Sequence, residues 1–190
     1  MAILNQKNFY LSGLKQFGIT PQALRWKSKK HQQLRFEILL KALPEDIHNY
    51  TIADAGCGFG DFSAFLHVHN KVPKHYVGLE NIVEFYTIAK EKNKGEFLLC
   101  DILKDPLPQA DFYICSGALN TLGAFDAALF IEKMLLFAKK GVVFNYLYGT
   151  TPKKPLYALD EKYLDKYKEK IYFLKKDYIA FDKTVGIKTV

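Results

Sequence analysis

Beyond residue 48, the hydrophobic and polar positions of this chain follow two alternating patterns. Short apolar runs that suit buried strands are followed by longer stretches in which apolar residues recur about every three or four positions, as on a helix face. The predicted strands lie at residues 52–54, 75–80, 96–101, 111–116 and 141–148, and two predicted helices at 60–70 and 82–93. Strands that alternate with helices form parallel sheets through right-handed crossovers. The pattern therefore predicts an α/β fold with a doubly wound, mostly parallel sheet.

The chain leaves this alternation after its fifth predicted strand. A helical stretch with Leu122 and Ala138 near its ends precedes that strand, and residues 157–170 predict a further, lysine-rich helix. The strand-like runs 171–174 and 184–190 follow, separated by a connection too short for a crossover helix. These two strands should therefore pair antiparallel, which gives a seven-stranded sheet with an antiparallel C-terminal strand.

The first 45 residues precede the sheet and predict a helical cap. Thr20 and Pro21 have the pattern of an N-cap followed by proline at the first helical position. Ser28 opens a second predicted helix, which carries Leu34 and Ile38 on one apolar stripe. We therefore expect two helices ahead of the first strand, one from Thr20 and one from Ser28.

Composition limits the domain count and the class of partner. With 190 residues, 49% of them hydrophobic, the chain suits one domain with one core. The net charge of +7 is uneven, at +6 over residues 1–45, −5 over 46–138 and +6 over 139–190. Only two of the 27 basic residues are arginines, whose bidentate fork sequence-specific readers of nucleic acid favour. We therefore expect solvated surface lysines, and nucleic acid is the less favoured partner.

The cysteines and the hydropathy of the chain bear on its compartment. The chain has an odd number of cysteines, Cys57, Cys100 and Cys115, and no C-x-x-C pair. This pattern favours reduced thiols over disulfides or metal ligands. No signal peptide is recognisable, and nowhere do eighteen apolar residues run together. We expect a cytoplasmic protein with no metal site and no membrane segment; its oligomeric state stays open.

The strongest chemical signal is a run of alternating glycines after the first predicted strand. Gly56, Gly58 and Gly60 follow Asp54 directly, and a helix begins after them. Such a loop lets the backbone approach a ligand closely. Glu80, at the end of the second strand, can accept both hydroxyls of a ribose. The pattern predicts a site for a nucleoside-bearing cofactor; a tight strand-to-helix turn and a strand-end charge are the alternatives.

The glycine spacing also discriminates between cofactors. Dinucleotide folds use G-x-G-x-x-G, but here the third glycine comes one residue early and Asp61 occupies the expected position. A carboxylate facing a pyrophosphate is unfavourable. S-adenosylmethionine carries no phosphate and has a cationic sulfonium, so Asp54 and Asp61 at the two ends of the loop suit it.

At these residues the chain resembles the class I S-adenosylmethionine-dependent methyltransferase family, whose first motif is an acidic residue followed by G-x-G-x-G. The resemblance covers residues 50–149 and implies a Rossmann-like methyltransferase fold with S-adenosylmethionine as cofactor. It places Asp101 and Ile102 where a side chain and the next backbone N–H meet the adenine; the alternative for Asp101 is a helix N-cap. Residues 18–36 also resemble the leader of a little-characterised bacterial subgroup of this family.

The resemblance divides the single methyltransferase domain 1–190 into three parts. They are a helical cap (1–48), a cofactor-binding core (49–149) and a C-terminal helix with a hairpin (150–190).

Further candidate residues lie at the carboxyl edge of the sheet and in the cap. Ser116 follows the fourth strand, where ligands bind in such sheets, and is assigned to the cofactor; Asn120 and Tyr146 are assigned to the acceptor. We hypothesise that Arg35 grips the carboxylate of the cofactor while Trp26, the only tryptophan, closes over the acceptor pocket. The alternative for Arg35 is a stem packed on the sheet with its head in water.

The sequence thus predicts an S-adenosylmethionine-dependent methyltransferase with an unidentified small-molecule acceptor. No catalytic residue is assigned, because methyl transfer needs chiefly positioning and desolvation. Where the acceptor carries a proton, His31, Tyr146 and Tyr148 are the candidate bases. The residues after the fourth strand lack the Asn/Asp-Pro-Pro-Tyr/Phe motif, which argues against nucleobase and glutamine acceptors. An RNA methyltransferase and a non-catalytic regulator that binds the same cofactor are the alternatives.

Overall fold

The computed structural model describes residues 2–189, with side chains from residue 6 onward. Its sheet has seven strands, β1 (Thr51–Ala55), β2 (His75–Glu80), β3 (Glu96–Leu99), β4 (Ala110–Ser116), β5 (Ala138–Leu147), β6 (Ile171–Lys176) and β7 (Asp182–Lys188). The α-helices are α1 (Ala2–Phe17), α2 (Lys29–Lys41), α3 (Asp61–Val68), α4 (Val83–Lys92) and α5 (Ala124–Phe137). Three 3₁₀ segments span Ile47–Asn49, Ala118–Thr121 and Glu161–Lys170.

The strand order in the sheet is β3-β2-β1-β4-β5-β7-β6. The first five strands pair in parallel, whereas β7 pairs antiparallel with both β5 and β6. This confirms the predicted α/β class, the doubly wound parallel sheet and the antiparallel C-terminal strand. The order reverses between β1 and β4, and such a switch point leaves a crevice for ligands at the carboxyl ends of the strands.

The central strands bury side chains on both faces of the sheet. Along β1, Ile52 packs in one core cluster and Ala53 in the other, as the alternation of a strand requires. Helices α2 and α3 cover the face that includes Ile52, and Phe36 of α2 meets Phe62 of α3 with 5.1 Å between ring centroids. Helix α5 covers the opposite face and contributes Met134 to its core. Parallel strands buried on both faces explain why the predicted strands are continuous apolar runs.

The cap differs from its prediction at Thr20. Residues 20–25 form turns rather than a helix, and the cap's first helix is α1, which ends at Phe17. The Thr20 hydroxyl donates to the Phe17 carbonyl at 3.1 Å, so it closes the preceding helix instead of opening a new one. The prediction at Ser28 is confirmed, since its Oγ accepts the His31 N–H at 3.2 Å at the start of α2.

Three boundaries in the second half also differ from prediction. The predicted helix 157–170 is a 3₁₀ segment, Glu161–Lys170, in which only Leu164 is buried. Leu122 and Ala138 lie outside α5, because Ala138 already pairs with Ala110 as the first residue of β5. Val190, which the prediction included in the last strand, lies outside the described residues.

Two further observations concern membrane-spanning helices and the state of the cysteines. Within residues 2–189, no helix combines the length and the apolar character that crossing a bilayer requires. All three cysteines are buried with free thiols, as the sequence predicted.

We expect Gly78→Ala to lower the free energy of unfolding by about 1–3 kcal/mol in urea titrations, because an added methyl group would overfill the core. Gly78 lies within β2, and a Cβ there would come within 2.5 Å of Cδ1 of Phe97 and 2.9 Å of Sγ of Cys57. Gly123→Ala is the matched control, since its Cβ would meet no atom within 4 Å. Equal stability of Gly78→Ala and wild type would contradict tight packing of β2 against β3.

Candidate functional site

A cavity of about 920 Å³ lies at the carboxyl ends of the strands, beside the switch point between β1 and β4. Its volume falls within the range of about 300–1,000 Å³ usual for small-molecule sites. Loops that follow β1, β2, β3 and β4 form one side, and residues of the cap form the other. The cavity therefore lies where a doubly wound sheet is expected to bind its ligand.

The glycine loop after β1 has the backbone conformation that only glycine adopts easily. Gly56, Gly58 and Gly60 have φ values of +77°, +58° and +75°. Gly56 and Gly58 line the cavity, but the structure does not bring Gly60 to it. Gly60 instead precedes α3, and a Cβ there would lie 2.5 Å from Nδ2 of Asn93. Two of the three predicted glycines thus line the cavity, and the third shapes the turn.

Glu80 connects the end of β2 to this loop. Its Oε2 accepts the N–H of Gly58 and its Oε1 that of Ile82, both at 2.9 Å. The side chain is buried, and burial raises the pKa of Glu80 to about 7, against the effect of the backbone hydrogen bonds. It lines the cavity, and no basic side chain of the described residues lies within 4 Å of its carboxylate. The predicted role of Glu80 as a ligand group is compatible with this position, and the alternative of a strand-end charge did not anticipate its hydrogen bonds to the loop.

Asp54 is the second buried carboxyl group at the cavity. Asp54 lies near the carboxyl end of β1, and its Oδ2 accepts a hydrogen bond from the Tyr76 hydroxyl at 2.5 Å. Burial raises the pKa of Asp54 to about 7. Asp61 also lines the cavity and accepts a 2.8 Å hydrogen bond from Nε2 of Gln32, which links the loop to α2. Two carboxyl groups with raised pKa values in one cleft are typical of functional sites.

The loop after β3 holds Asp101 and Ile102. Asp101 lines the main cavity, and its Oδ1 accepts the Leu103 N–H at 3.0 Å, so it caps a turn rather than a helix. Ile102 is buried and lines a smaller adjoining cavity of about 100 Å³. Leu122 and Phe130 also line this smaller cavity, which gives it an apolar wall.

The structure brings Ser116 and Asn120 to the main cavity but not Tyr146. Ser116 Oγ accepts from Nδ2 of Asn145 at 3.2 Å, and Asn120 Oδ1 accepts the Leu147 N–H at 2.8 Å. Tyr146 lies on β5 with its ring in the core, and its hydroxyl donates to Glu161 at 3.2 Å. Its assignment to the acceptor is therefore corrected: alternate residues of a strand face opposite sides, and Tyr146 faces away from the cavity.

Arg35 has a partner that the sequence did not predict. Its Nε donates to Oδ1 of Asp182 at 3.1 Å, and its Nη2 bonds Oδ2 of the same carboxylate. Both side chains are buried, so the alternative with the head of Arg35 in water is wrong. Arg35 lines the cavity, but the fork expected for the cofactor carboxylate is occupied by Asp182. No pattern of neighbouring residues could have predicted this pair, because Arg35 and Asp182 lie 147 positions apart in the sequence.

Trp26 lies between Arg35 and the loop after β4. The Cζ atom of Arg35 is 4.7 Å from the centroid of the Trp26 ring. On the other side, a Cβ at Gly117 would lie 2.6 Å from Cη2 of the indole. Trp26 lines the cavity, and its closure over the acceptor stays a prediction. The ion pair between Arg35 and Asp182 thus fixes an aromatic wall.

Helix α1 supplies cavity residues that sequence reasoning missed. Gln6, Lys7 and Tyr10 line the cavity, and Nε2 of Gln6 donates to Oγ1 of Thr121 at 2.6 Å. The spacing of Gln6 and Tyr10 places them on one helix face, and a helical pattern over residues 2–17 could have indicated them. In the part of the chain that the structure describes, no three His, Cys, Asp or Glu side chains are grouped as a metal site requires.

Comparison with solved structures identifies the fold. The N-methyltransferase NodS from Bradyrhizobium japonicum WM9, crystallised with S-adenosyl-L-homocysteine, matches with a TM-score of 0.72 at 15% identity over 95% of this chain and 98% of that one. The chain has the class I methyltransferase fold. Magnesium protoporphyrin IX methyltransferase from Synechocystis PCC 6803, with the same ligand, matches with a TM-score of 0.67 at 15% identity over 83% of each chain.

A methyltransferase from Mesorhizobium loti that depends on S-adenosylmethionine also shares this methyltransferase fold. Its TM-score is 0.62 at 17% identity, over 82% of this chain and 97% of that one. No protein-family model and no curated protein sequence matches the chain. At these identities the likeness establishes the fold, and the chemistry must be argued from the site.

Removing the acidic partner of Arg35 should destabilise the protein. We expect Asp182→Asn to lower the free energy of unfolding by about 3–5 kcal/mol, because Arg35 would keep a buried charge with no anionic partner. The emission of Trp26 should shift to longer wavelength as the cap loosens. Asp165→Asn, at an exposed position, is the control and should leave both measurements unchanged. A stable Asp182→Asn variant with wild-type emission would show that the pair does not hold the cap.

Proposed function

We propose that this protein is an S-adenosylmethionine-dependent methyltransferase that acts on a small molecule in the cytoplasm. The observation that carries the proposal is the pair of buried carboxyl groups, Asp54 and Glu80, at the ends of β1 and β2. Both line a cavity at the switch point of a methyltransferase fold, and no basic side chain of the described residues lies within 4 Å of either. A cationic ligand with ribose hydroxyls would satisfy both groups.

The residues around the cavity fit this cofactor. Each oxygen of Glu80 accepts one backbone N–H and keeps a further lone pair, so the carboxylate can accept two ribose hydroxyls. Gly58 lines the cavity with its backbone, and its missing side chain makes room for Leu24, whose Cδ1 would lie 3.0 Å from a Cβ there. Asp54 lies beside the loop, where it suits the ammonium and sulfonium groups. We assign Asp101 and Ile102 to the adenine, because the small apolar cavity beside them suits a flat ring.

When bound, S-adenosylmethionine supplies a methyl group on a positively charged sulfur. The contribution of the chain is then to position the acceptor and to exclude water, and proximity alone can lower the barrier by roughly 7–11 kcal/mol. The cap residues Gln6, Tyr10 and Trp26 line the side of the cavity opposite the sheet and would enclose both reactants. Ser116 and Asn120 also remain assigned to this site, to cofactor and acceptor respectively.

An acceptor that loses a proton needs a base, and His31 is the candidate that the geometry favours. It lines the cavity, whereas Tyr146 does not. Tyr148 donates its hydroxyl to Asp177, and this hydrogen bond raises the pKa of Tyr148 to about 12, which makes deprotonation near neutral pH unfavourable. A cofactor-binding regulator without turnover is the second candidate function, and it would bind the cofactor without a base.

Glu80→Ala should weaken binding of S-adenosylhomocysteine at least tenfold, since charge-assisted hydrogen bonds contribute about 1.5–3 kcal/mol each. Isothermal titration calorimetry at a temperature where both proteins are folded measures this. Because Glu80 also holds the N–H groups of Gly58 and Ile82, the variant should melt at lower temperature as well. Glu91→Ala, exposed on α4, is the matched control.

The same titrations decide the class of cofactor. NAD and NADP should not bind, because Asp61 stands where a pyrophosphate would lie. An unchanged dissociation constant in Glu80→Ala, or binding of NAD without binding of S-adenosylhomocysteine, would refute the proposal.

Binding of S-adenosylhomocysteine near neutral pH should release protons. Hydrogen bonds from ribose hydroxyls stabilise the ionised form of Glu80 and so lower its pKa from about 7. Affinity should therefore rise several-fold between about pH 6 and pH 8, and calorimetry in buffers of different ionisation enthalpy counts the protons. Glu80→Gln should release fewer protons than wild type, and Glu91→Gln the same number.

The free protein should show the opposite trend with pH. The folded pKa values of Glu80 and Asp54 are raised, so the stability they contribute is full below their unfolded values and is lost as pH rises to about 7. Ligand binding without any proton release by the wild type would contradict the assigned role of Glu80.

A further inference from the structure

We propose that the methyl acceptor carries an anionic group, a carboxylate or a phosphate, and that Lys27 and Lys30 of the cap hold it. This inference rests on the proposed function and names its substrate class. It follows from the way in which charge is divided across the cavity.

The two sides of the cavity carry opposite charge. The ends of β1 and β2 and the segments after β1 and β3 contribute the carboxyl groups of Asp54, Asp61, Glu80, Asp101 and Asp105. Among the described residues that line this side, the one basic residue is Lys104, which forms an ion pair with Asp101 at 2.8 Å. The cap contributes no carboxylate, and its basic residues at the cavity are Lys7, Arg25, Lys27, Lys30, His31 and Arg35. A cleft with walls of low dielectric constant concentrates such a field and draws in ligands of matching charge. The acidic side suits the cationic cofactor, so the basic side is left for the second reactant.

Most of the basic groups of the cap already have partners. Lys7 lies 3.7 Å from Glu84, and the guanidinium of Arg25 donates to Ser12 Oγ and the carbonyl of Phe9. Arg35 is paired with Asp182. For Lys27 and Lys30, in contrast, no acidic group of residues 2–189 lies within 4 Å. These two lysines carry the uncompensated positive charge on the cap side.

Their position is the acceptor end of the cavity. Lys27 follows Trp26, and Lys30 lies in the first turn of α2 next to His31, which also lines the cavity. The cavity continues here along Leu147, Leu156 and Tyr178, which belong to β5 and to the segments after β5 and β6. This lobe lies beyond the strand ends that hold the proposed cofactor, and it joins an apolar lining to a positive rim.

The same contacts disfavour RNA as the source of the negative charge. Sequence-specific recognition of base edges relies chiefly on the bidentate arginine fork. The chain has two arginines, and both donate hydrogen bonds to partners within the chain, Arg25 to the Phe9 carbonyl and Arg35 to Asp182. A small anion that enters the lobe needs only the point charges of Lys27 and Lys30.

The test uses the protein saturated with S-adenosylhomocysteine and three probes that share one ring: benzoate, phenyl phosphate and benzamide. Binding is followed by the emission of Trp26, the only tryptophan, and by ligand-observed NMR. At least one anionic probe should bind about fivefold or more tightly than neutral benzamide, because its hydrogen bonds to lysine are charge-assisted. Comparison of benzoate with phenyl phosphate identifies the preferred anion.

Matched variants assign the effect to the two lysines. The double variant Lys27→Ala/Lys30→Ala should lose the preference for the anion and retain the wild-type affinity for S-adenosylhomocysteine. Lys41→Ala, on the same helix but outside the cavity lining, should behave as wild type. Equal binding of benzamide and both anions by wild type would overturn the inference.

Two other outcomes would also overturn it. In one, the double variant loses affinity for S-adenosylhomocysteine and keeps the anion preference, which would assign the lysines to the cofactor's carboxylate. In the other, an RNA hairpin binds with a steep salt dependence that the double variant lacks. Failure of wild type to bind S-adenosylhomocysteine at all would instead refute the proposed function, and titration of the free protein with the same probes would still test the anion site.

Discussion

The site depends first on the carboxylate of Glu80, which bonds to the backbone of Gly58 on one side and of Ile82 on the other. The glycine loop has left-handed φ values at Gly56, Gly58 and Gly60, and between the glycines only Cys57 and Phe59 pack into the core. A buried carboxylate with two N–H donors holds the loop at a fixed distance from β2. Because these bonds use only part of its hydrogen-bonding capacity, the group that builds the loop can also bind the ligand.

The cap depends in the same way on the Arg35–Asp182 pair. A buried ion pair is seldom a large net source of stability, because desolvation of both charges opposes their attraction. Its value here is geometric: it fixes α2 against β7 and gives Trp26 a flat partner at 4.7 Å. The aromatic wall of the cavity is therefore set by two residues that belong to different ends of the fold.

The fold was largely predictable from sequence because the determinants of its core are local. β2 was predicted with its observed bounds, since the short run from Tyr76 to Leu79 is apolar and polar residues flank it on both sides. Asp54 and Glu80 were predictable for the same reason, as polar residues at the ends of such runs. The prediction of a helix that begins at Thr20 was wrong, because the Thr20 hydroxyl can cap the helix before it as well as one after it. The partner of Arg35 was not predicted and the assignment of Tyr146 was wrong, because tertiary pairing decides which carboxylate meets Arg35 and which side of β5 Tyr146 faces.

The position of Asp182 in the chain has a consequence for biosynthesis. A ribosome makes α2 long before it makes β7, and until then Arg35 has no carboxylate to bury against. Helix α2 can pack on α3 earlier, but the burial of Arg35 at the cavity must wait until β7 has been inserted between β5 and β6. Contacts of such long sequence separation form late and slow folding. The nascent chain can assemble the parallel half of its sheet while the cleft is still open, and the cap closes as one of the last steps.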